Sequence, residues 1–373
     1  MTRPLPQDQG PGLRHPLMGA RLGLLLGALL RNRVVARRHV PLATAMVMSA
    51  SARLPIQLLE QARLAQLRRR APPPEAPLFI VGHWRSGTTH LHNLMGCSPD
   101  LGHISPLACG LPDEILTLGT WFRPLLERAL PPDRYVDRVA VTPTSPQEDE
   151  IPLANLQPLS VFHATYFPKD FQRQFDRGVF FEGCSAREIA RWSRSAQRFA
   201  EKIALQQGKP RLVIKNPVYT ARLPLLRQLW PDSPFIHIRR NPYEVFVSTR
   251  AYLRKSLAEL ALQDYSHLDI EDFVLKTFVK LMATYERDRR ALGPSQLVEV
   301  SYERLRRAPL SVLAEAHEQL GLPGWDRARP RVSAYLTSIA GYRGNADPIS
   351  AEDRRKVDAA WAPQIAAWTA LDS

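Results

Sequence analysis

Four short apolar runs punctuate the chain after residue 76: Leu78–Val81, 212–214, 235–238 and 297–300. Each is three or four residues of mostly β-branched and aliphatic side chains, the pattern of strands buried on both faces. Between and after them the apolar positions take up the helical period, over 88–95, 186–207, 219–230, 242–262, 270–292 and 310–320. Short buried strands alternating with helices predict an α/β fold in which a central parallel sheet is flanked by helices in three layers. Ala71 to Pro77 (APPPEAP) reads as a stiff linker, because successive prolines exclude helix and favour extended backbone. The organisation expected is a helical N-terminal arm over 1–70, the linker over 71–77 and an α/β domain over 78–373.

The arm changes the picture through its charge. It holds twelve arginines, no lysine and two acids, Asp8 and Glu60. The whole chain of 373 residues carries 50 Lys and Arg against 36 Asp and Glu, a net charge of +14, so the body is nearly balanced. A basic arm on a balanced body argues against a general nucleic-acid binder. Leu17 to Leu30 is apolar but only 14 residues long and contains Arg21, where a membrane span needs about 20 apolar residues. Arg31, Arg33, Arg37 and Arg38 follow without a small-residue cleavage pattern. Two readings of the arm stay open: a basic amphipathic helix lying on anionic lipid, or a helix packed on the body with its arginines in water. Three widely spaced cysteines, Cys97, Cys109 and Cys184, form neither a disulfide framework nor a CxxC site. A cytoplasmic location, at the inner face of the membrane if the arm binds lipid, is the expectation.

The first strand feeds Gly82-His83-Trp84-Arg85-Ser86-Gly87-Thr88-Thr89, a glycine-containing turn that opens a helix. Backbone N–H groups and a positive dipole end make such a turn an anion site. The GxxxxG spacing followed by Thr-Thr is close to a nucleotide P-loop, but Thr88 stands where the P-loop lysine belongs, and the loop's cation, Arg85, precedes the second glycine. The later strands end in Lys215-Asn216, Arg239-Arg240 and Ser301-Tyr302, without a carboxylate for magnesium. His90 and His92 are spaced i,i+2 and do not share a helix face. The ligand expected is a phosphate ester whose transfer needs no metal.

These residues resemble a family. FIVGHWRSGTTHLHNLM is similar to the 5′-phosphosulfate loop of sulfotransferases that use 3′-phosphoadenylyl sulfate (PAPS), in the bacterial and tyrosylprotein-sulfotransferase-like branch with Arg-Ser-Gly-Thr-Thr. The second element, FIHIRRNPYEVFVS over 235–248, resembles the family's 3′-phosphate motif. Asn241 and Pro242 independently read as the N-cap and first residue of a helix, which puts Arg240 beside a helix start at a strand's carboxyl end. The resemblance spans roughly 76–345, and it implies transfer of a sulfuryl group from PAPS to a hydroxyl or amine with release of PAP.

The resemblance also implies roles. Ser86, Gly87, Thr88 and Thr89 cradle the 5′-phosphosulfate, Arg85 neutralises charge on the transferring group, and Arg240 and Ser248 bind the 3′-phosphate. Lys215 contacts the leaving oxygen, and Tyr302 lies near the adenine; an exposed strand-end lysine and a core aromatic are the plainer readings. The acceptor needs a general base. Glu148, then Asp149 and Glu150, in Pro146-Gln-Glu-Asp-Glu resemble a family QEDE element, although acids at a helix start often serve only the dipole. His83 is the other contender, and equally reads as a residue fixing the turn. Phe162, His163, Tyr166, Phe167, Phe171 and Phe175 read as core or as the lining of an apolar acceptor pocket. A small-molecule, glycan or lipid acceptor is open at this point. The rivals are a metal-dependent P-loop kinase and a non-catalytic nucleotide-binding membrane scaffold.

Overall fold

A computed structural model of the chain describes residues 12, 15–32, 35–128, 142–340 and 349–372. The chain folds into two compact units, the first comprising 1–73, 104–208 and 252–268 and the second 74–103, 209–251 and 269–373. Both are discontinuous in sequence.

The second unit is built on a parallel sheet of five strands, β1 (Leu78–Val81), β2 (Leu101–Gly102), β3 (Arg211–Lys215), β4 (Phe235–Arg239) and β5 (Leu297–Ser301), in the order β2-β3-β1-β4-β5. β1 is central. Its register sets Leu78 against Val213 on one side and Ile80 against Ile236 on the other. Alternate side chains leave opposite faces of a strand. On one face Leu78, Ile80, Ile236 and Ile238 pack with Leu91, Leu94, Leu305 and Leu313 from helices Thr88–Met95, Tyr302–Arg307 and Pro309–Gln319. On the other, Phe79 meets Tyr219 and Trp230, and the His237 ring stacks on Tyr285 of helix Ile270–Asp288 at 3.8 Å between centroids. Burial on both faces explains why β1, β3 and β4 read as nearly continuous apolar runs, whereas the edge strand β5 alternates buried Val298 and Val300 with the less buried Glu299.

The expected helix over 219–230 is instead a 3-10 turn, Pro217–Ala221, followed by a separate helix, Leu223–Leu229. Pro224 near the start of the second piece has no N–H to carry the turn through Arg222. Helix Pro242–Leu260 begins as the sequence reads, with the Tyr243 amide donating to Asn241 Oδ1 at 3.0 Å.

The first unit is helical. The arm contributes Leu22–Asn32, Val40–Ala52 and Leu54–Arg70, with a 48° bend at Arg53. Among the described residues no single helix is long and apolar enough to cross a membrane. Leu17, Leu25, Ala28 and Met46 of the arm are buried in one cluster with Phe162, Tyr166 and Phe167. The aromatic segment is therefore largely core. Among the described residues four ion pairs cross from the arm to residues 104–208: Arg21 with Asp113, Arg68 with Glu201 at 2.6 Å, Arg53 with Glu114 at 2.8 Å, and Glu60 with Lys202 at 3.0 Å. The last two pairs are buried.

Candidate active site

β1, β3, β4 and β5 all end at one edge of the sheet, and the candidate residues of the second unit follow directly from those ends. Open parallel sheets bind ligands at this edge, where neighbouring connections diverge. β1 runs into Gly82, whose φ of 145° and close approach to the Ile238 carbonyl leave no room for a Cβ. Thr220 Oγ1 clamps this glycine, accepting from its amide at 2.8 Å and donating to its carbonyl at 3.1 Å. Ser86 folds the loop back on itself, its hydroxyl donating to the His83 carbonyl at 2.6 Å. Thr249 Oγ1 donates to the Trp84 carbonyl at 3.3 Å. Arg85 and Gly87 both lie in the left-handed region, at φ 68° and 96°, and a Cβ on Gly87 would overlap the Tyr302 ring. Thr88 and Thr89 then start helix Thr88–Met95, whose first amides have no intrahelical acceptor.

The other elements converge on this loop. Lys215 at the end of β3 is fully buried and its Nζ donates to Thr89 Oγ1 at 3.3 Å. Arg85 Nε donates to Ser248 Oγ at 2.8 Å, and Arg240 donates to the Arg85 carbonyl at 3.2 Å. The Arg240 guanidinium lies over the Tyr302 ring, 4.5 Å from its centroid, and also pairs with Glu244. β4 continues one residue into the Arg pair, through Arg239, which turns away and donates to the Trp368 carbonyl at 3.0 Å. The two arginines are thus divided between the loop and the C-terminal helix. Arg85, Lys215 and Arg240 bring three cations to one loop, together with Thr89, Ser248 and Tyr302. The arrangement suits a polyanion.

His83 is buried against Phe278, 5.0 Å between ring centroids, and its Nδ1–H donates to the Trp84 carbonyl at 2.7 Å. Burial pushes its pKa down to about 4. His15 of the arm is likewise pushed down to about 4 by burial; its ring donates from Nε2 to the Leu260 carbonyl and accepts at Nδ1 from the Leu17 amide. A proton on Nδ1 would break that cap. Both rings are neutral in the folded protein, whereas in the unfolded chain they titrate near 6.5. As pH falls below 6.5 the unfolded state takes up protons first, so stability is lost progressively down to about 4, at up to ~3 kcal/mol for each ring. Thermal melts across this window should show a falling midpoint, and His15→Asn should flatten the slope; a flat profile in the parent protein would contradict the assignment.

The acidic run belongs to the first unit. The Gln147 amide donates to the Ile104 carbonyl at 2.9 Å. Glu148 is half-buried, while Asp149 and Glu150 are buried at the start of the short helix Glu150–Leu156. Glu150 Oε1 accepts from the Val161 amide at 3.0 Å, which gives that carboxylate a structural task at the entry to helix Val161–Tyr166. Of the three, Glu148 is the most open to solvent.

Sequence reasoning missed Thr220 and Thr249, the two hydroxyls that hold the loop backbone. Thr249 has a faint signal, since it adjoins Ser248 in the second turn of helix Pro242–Leu260. Thr220 has none, being a lone threonine 138 residues from its glycine partner. Among the described residues no group of three or more His, Cys, Asp or Glu is placed to hold a metal ion.

The model of the sulfotransferase family matches residues 77–327, which include the loop, every strand and all of the converging cations. The chain belongs to the sulfotransferase family. It is 32% identical over 290 residues to the omega-hydroxy-beta-dihydromenaquinone-9 sulfotransferase Stf3 of Mycobacterium tuberculosis, a match covering 77% of this chain and 73% of that one, and equally to the Mycobacterium bovis protein of the same name. Among solved structures, sulfotransferase STF9 from Mycobacterium avium superposes with a TM-score of 0.64 at 16% identity, covering 94% of this sulfotransferase and 96% of that chain. Sulfotransferase STF1 from Mycobacterium tuberculosis gives 0.57 at 18%, covering 86% and 88%. At such identities the superpositions establish the shared fold. The sulfotransferase moves a sulfuryl group to an acceptor, and the kinase and scaffold readings fall away.

Proposed function

We propose that the donor is PAPS, held between the loop and the helix that follows β4, and that the acceptor is a hydroxyl on a lipid-like molecule. The observation that carries the donor assignment is the direct junction of the two anion elements, Arg85 to Ser248 at 2.8 Å and Arg240 to the Arg85 carbonyl at 3.2 Å. A nucleoside with phosphates at both ends of one ribose needs two such elements side by side. The tight Gly87–Tyr302 contact, which admits no Cβ, holds the loop against the aromatic ring.

PAPS supplies the sulfuryl group. In this reading the loop amides and the Thr88 and Thr89 hydroxyls orient the 5′ end, and Arg85 stabilises charge that grows on the transferring group and bridging oxygen. Lys215, buried and tied to Thr89, stabilises the leaving oxygen. Arg240 and Ser248 take the 3′-phosphate, the guanidinium offering a fork suited to phosphate, and Tyr302 flanks the base. Glu148 is the first choice for removing the acceptor proton, ahead of Asp149, Glu150 and His83, because it is half-open and Glu150 is already committed to Val161. The low basicity of His83 and its bond to Trp84 favour a role in fixing the turn.

A lipid acceptor is supported by the relative that acts on a hydroxylated menaquinone derivative. It is also supported by apolar side chains that the arm leaves in solvent, Leu30 and Leu58 each 74% exposed. Contact of residues 1–70 with an anionic membrane, at its inner face, belongs to the same proposal.

Calorimetry tests the donor. PAP should bind without magnesium and in preference to MgATP, and Arg240→Ala should weaken PAP about tenfold to a hundredfold with adenosine 5′-phosphate scarcely affected. Glu244, 46% exposed, loses its partner without being stranded in the interior. A preference for MgATP, or equal losses for both adenosine nucleotides, would overturn the assignment.

A further inference from the structure

Two adjoining cavities open within the first unit, of about 400 and about 530 Å³, and share Arg31, Pro158 and Arg191 in their walls. They differ in character. The smaller is bounded mainly by the apolar Leu22, Leu24, Leu54 and Leu156, with Gln57, Gln157 and Arg21 also in its wall. The larger is lined by five arginines, Arg31, Arg173, Arg177, Arg187 and Arg191, against two carboxylates. Both carboxylates are already engaged, Asp170 with Arg173 and Glu188 with Arg177 and the Ser185 cap. Arg31, Arg187 and Arg191 have no carboxylate partner among the described residues. Arg187 and Arg191 stand one turn apart on helix Ala186–Gln207, where like charges repel. A bound anion would relieve this repulsion.

Apolar rows lead away from the same rim. Leu54, in the wall of the smaller cavity, is 44% exposed, and Leu58 one turn along its helix is 74% exposed. Leu26 and Leu30 form a second exposed row on helix Leu22–Asn32, beside the Arg31 that lines both cavities.

We propose that these cavities form a binding site for one anionic phospholipid at a bilayer surface. The phosphate sits among Arg31, Arg187 and Arg191, the first acyl carbons lie against Leu22, Leu24, Leu54 and Leu156, and the leucine rows rest in the interface. The argument for a lipid over a free anion is the pairing of an unneutralised arginine wall with an apolar one. The site does not depend on the donor assignment.

The test is sedimentation of the full chain with phosphatidylcholine vesicles, with and without phosphatidylglycerol. Binding should require phosphatidylglycerol. Each arginine near an anionic surface contributes about fivefold to partition, so Arg187→Gln with Arg191→Gln should lower it about 25-fold while leaving the melting temperature unchanged. The exposed pair Arg329→Gln with Arg331→Gln, in the second unit, is the control and should retain binding. Leu54→Gln with Leu58→Gln should weaken binding while preserving the lipid preference. Equal losses from the two arginine pairs would reduce the effect to general charge attraction and overturn the site. So would retention of full binding by Arg187→Gln with Arg191→Gln. Calorimetric binding of inorganic phosphate that depends on Arg187 and Arg191, without any vesicle preference, would make it a free-anion site and equally overturn the proposal.

Discussion

Arg85→Ala should reduce turnover with PAPS by about a hundredfold to a thousandfold, the range found when one donor aimed at a developing oxyanion is removed. PAP binding should fall by far less, because PAP lacks the sulfuryl group whose charge Arg85 is proposed to meet. The substitution is clean at the backbone. Arg85 already sits at φ 68°, where alanine pays the same conformational cost as arginine, so the difference between the two proteins reports the guanidinium. The side chain also donates to Ser248, and its loss leaves that hydroxyl without one donor, which sets a modest floor for the effect on PAP. Steady-state kinetics beside PAP calorimetry separates the two. Equal losses in both would move Arg85 from the transferring group to general nucleotide binding.

Glu60→Ala should lower the stability of the first unit by about 3–5 kcal/mol, the range for stranding one member of a buried ion pair. Glu60 accepts from Lys202 Nζ at 3.0 Å, from the Leu116 amide at 3.0 Å and from Thr117 Oγ1 at 2.9 Å, all in the interior. Lys202 is buried too, and burial already holds its pKa below the ordinary lysine value, with Glu60 as the chief opposing influence. Without the carboxylate, the ammonium must either shed its proton or stay charged with too few acceptors. Thermal denaturation should show a drop of roughly 10 °C. Glu201→Ala, which breaks only the solvent-exposed pair with Arg68, provides the contrast and should shift the midpoint by about a tenth of that. Lys202→Met placed in the Glu60→Ala background should recover much of the loss. If Glu60→Ala melted with Glu201→Ala, the buried pair would not be holding the arm's third helix to its neighbours.

The sheet and its loop were legible because their signals are local. A strand buried on both faces is written as an unbroken apolar run, and the glycines at 82 and 87 mark turns that close approach enforces. Asn241 and Pro242 announce a helix start in two residues. What lay hidden depends on separation. β2 is two residues long and has no period to detect. Glu60 and Lys202 are 142 positions apart. The two units interleave along the chain, a partition that composition does not mark. Phe162, Tyr166 and Phe167 carry the same letters whether they line a pocket or fill a core, and the partners that decide it, Leu17, Leu25 and Met46, lie more than 100 residues earlier. Arg239 and Arg240 are adjacent identical residues, and their division between the C-terminal helix and the loop is set by strand pleat and register.

The contact between Gly87 and Tyr302 bears on how the protein is made. Residues 82–89 leave the ribosome early, but the ring they press against, the lysine at 215 and the guanidinium at 240 emerge only as translation proceeds toward residue 302. A nascent chain halted before that tyrosine carries the loop without the ring that Gly87 packs against. The turn that was translated first thus gains its last neighbour late in synthesis, when β5 docks and the helix beginning at Tyr302 forms beside it.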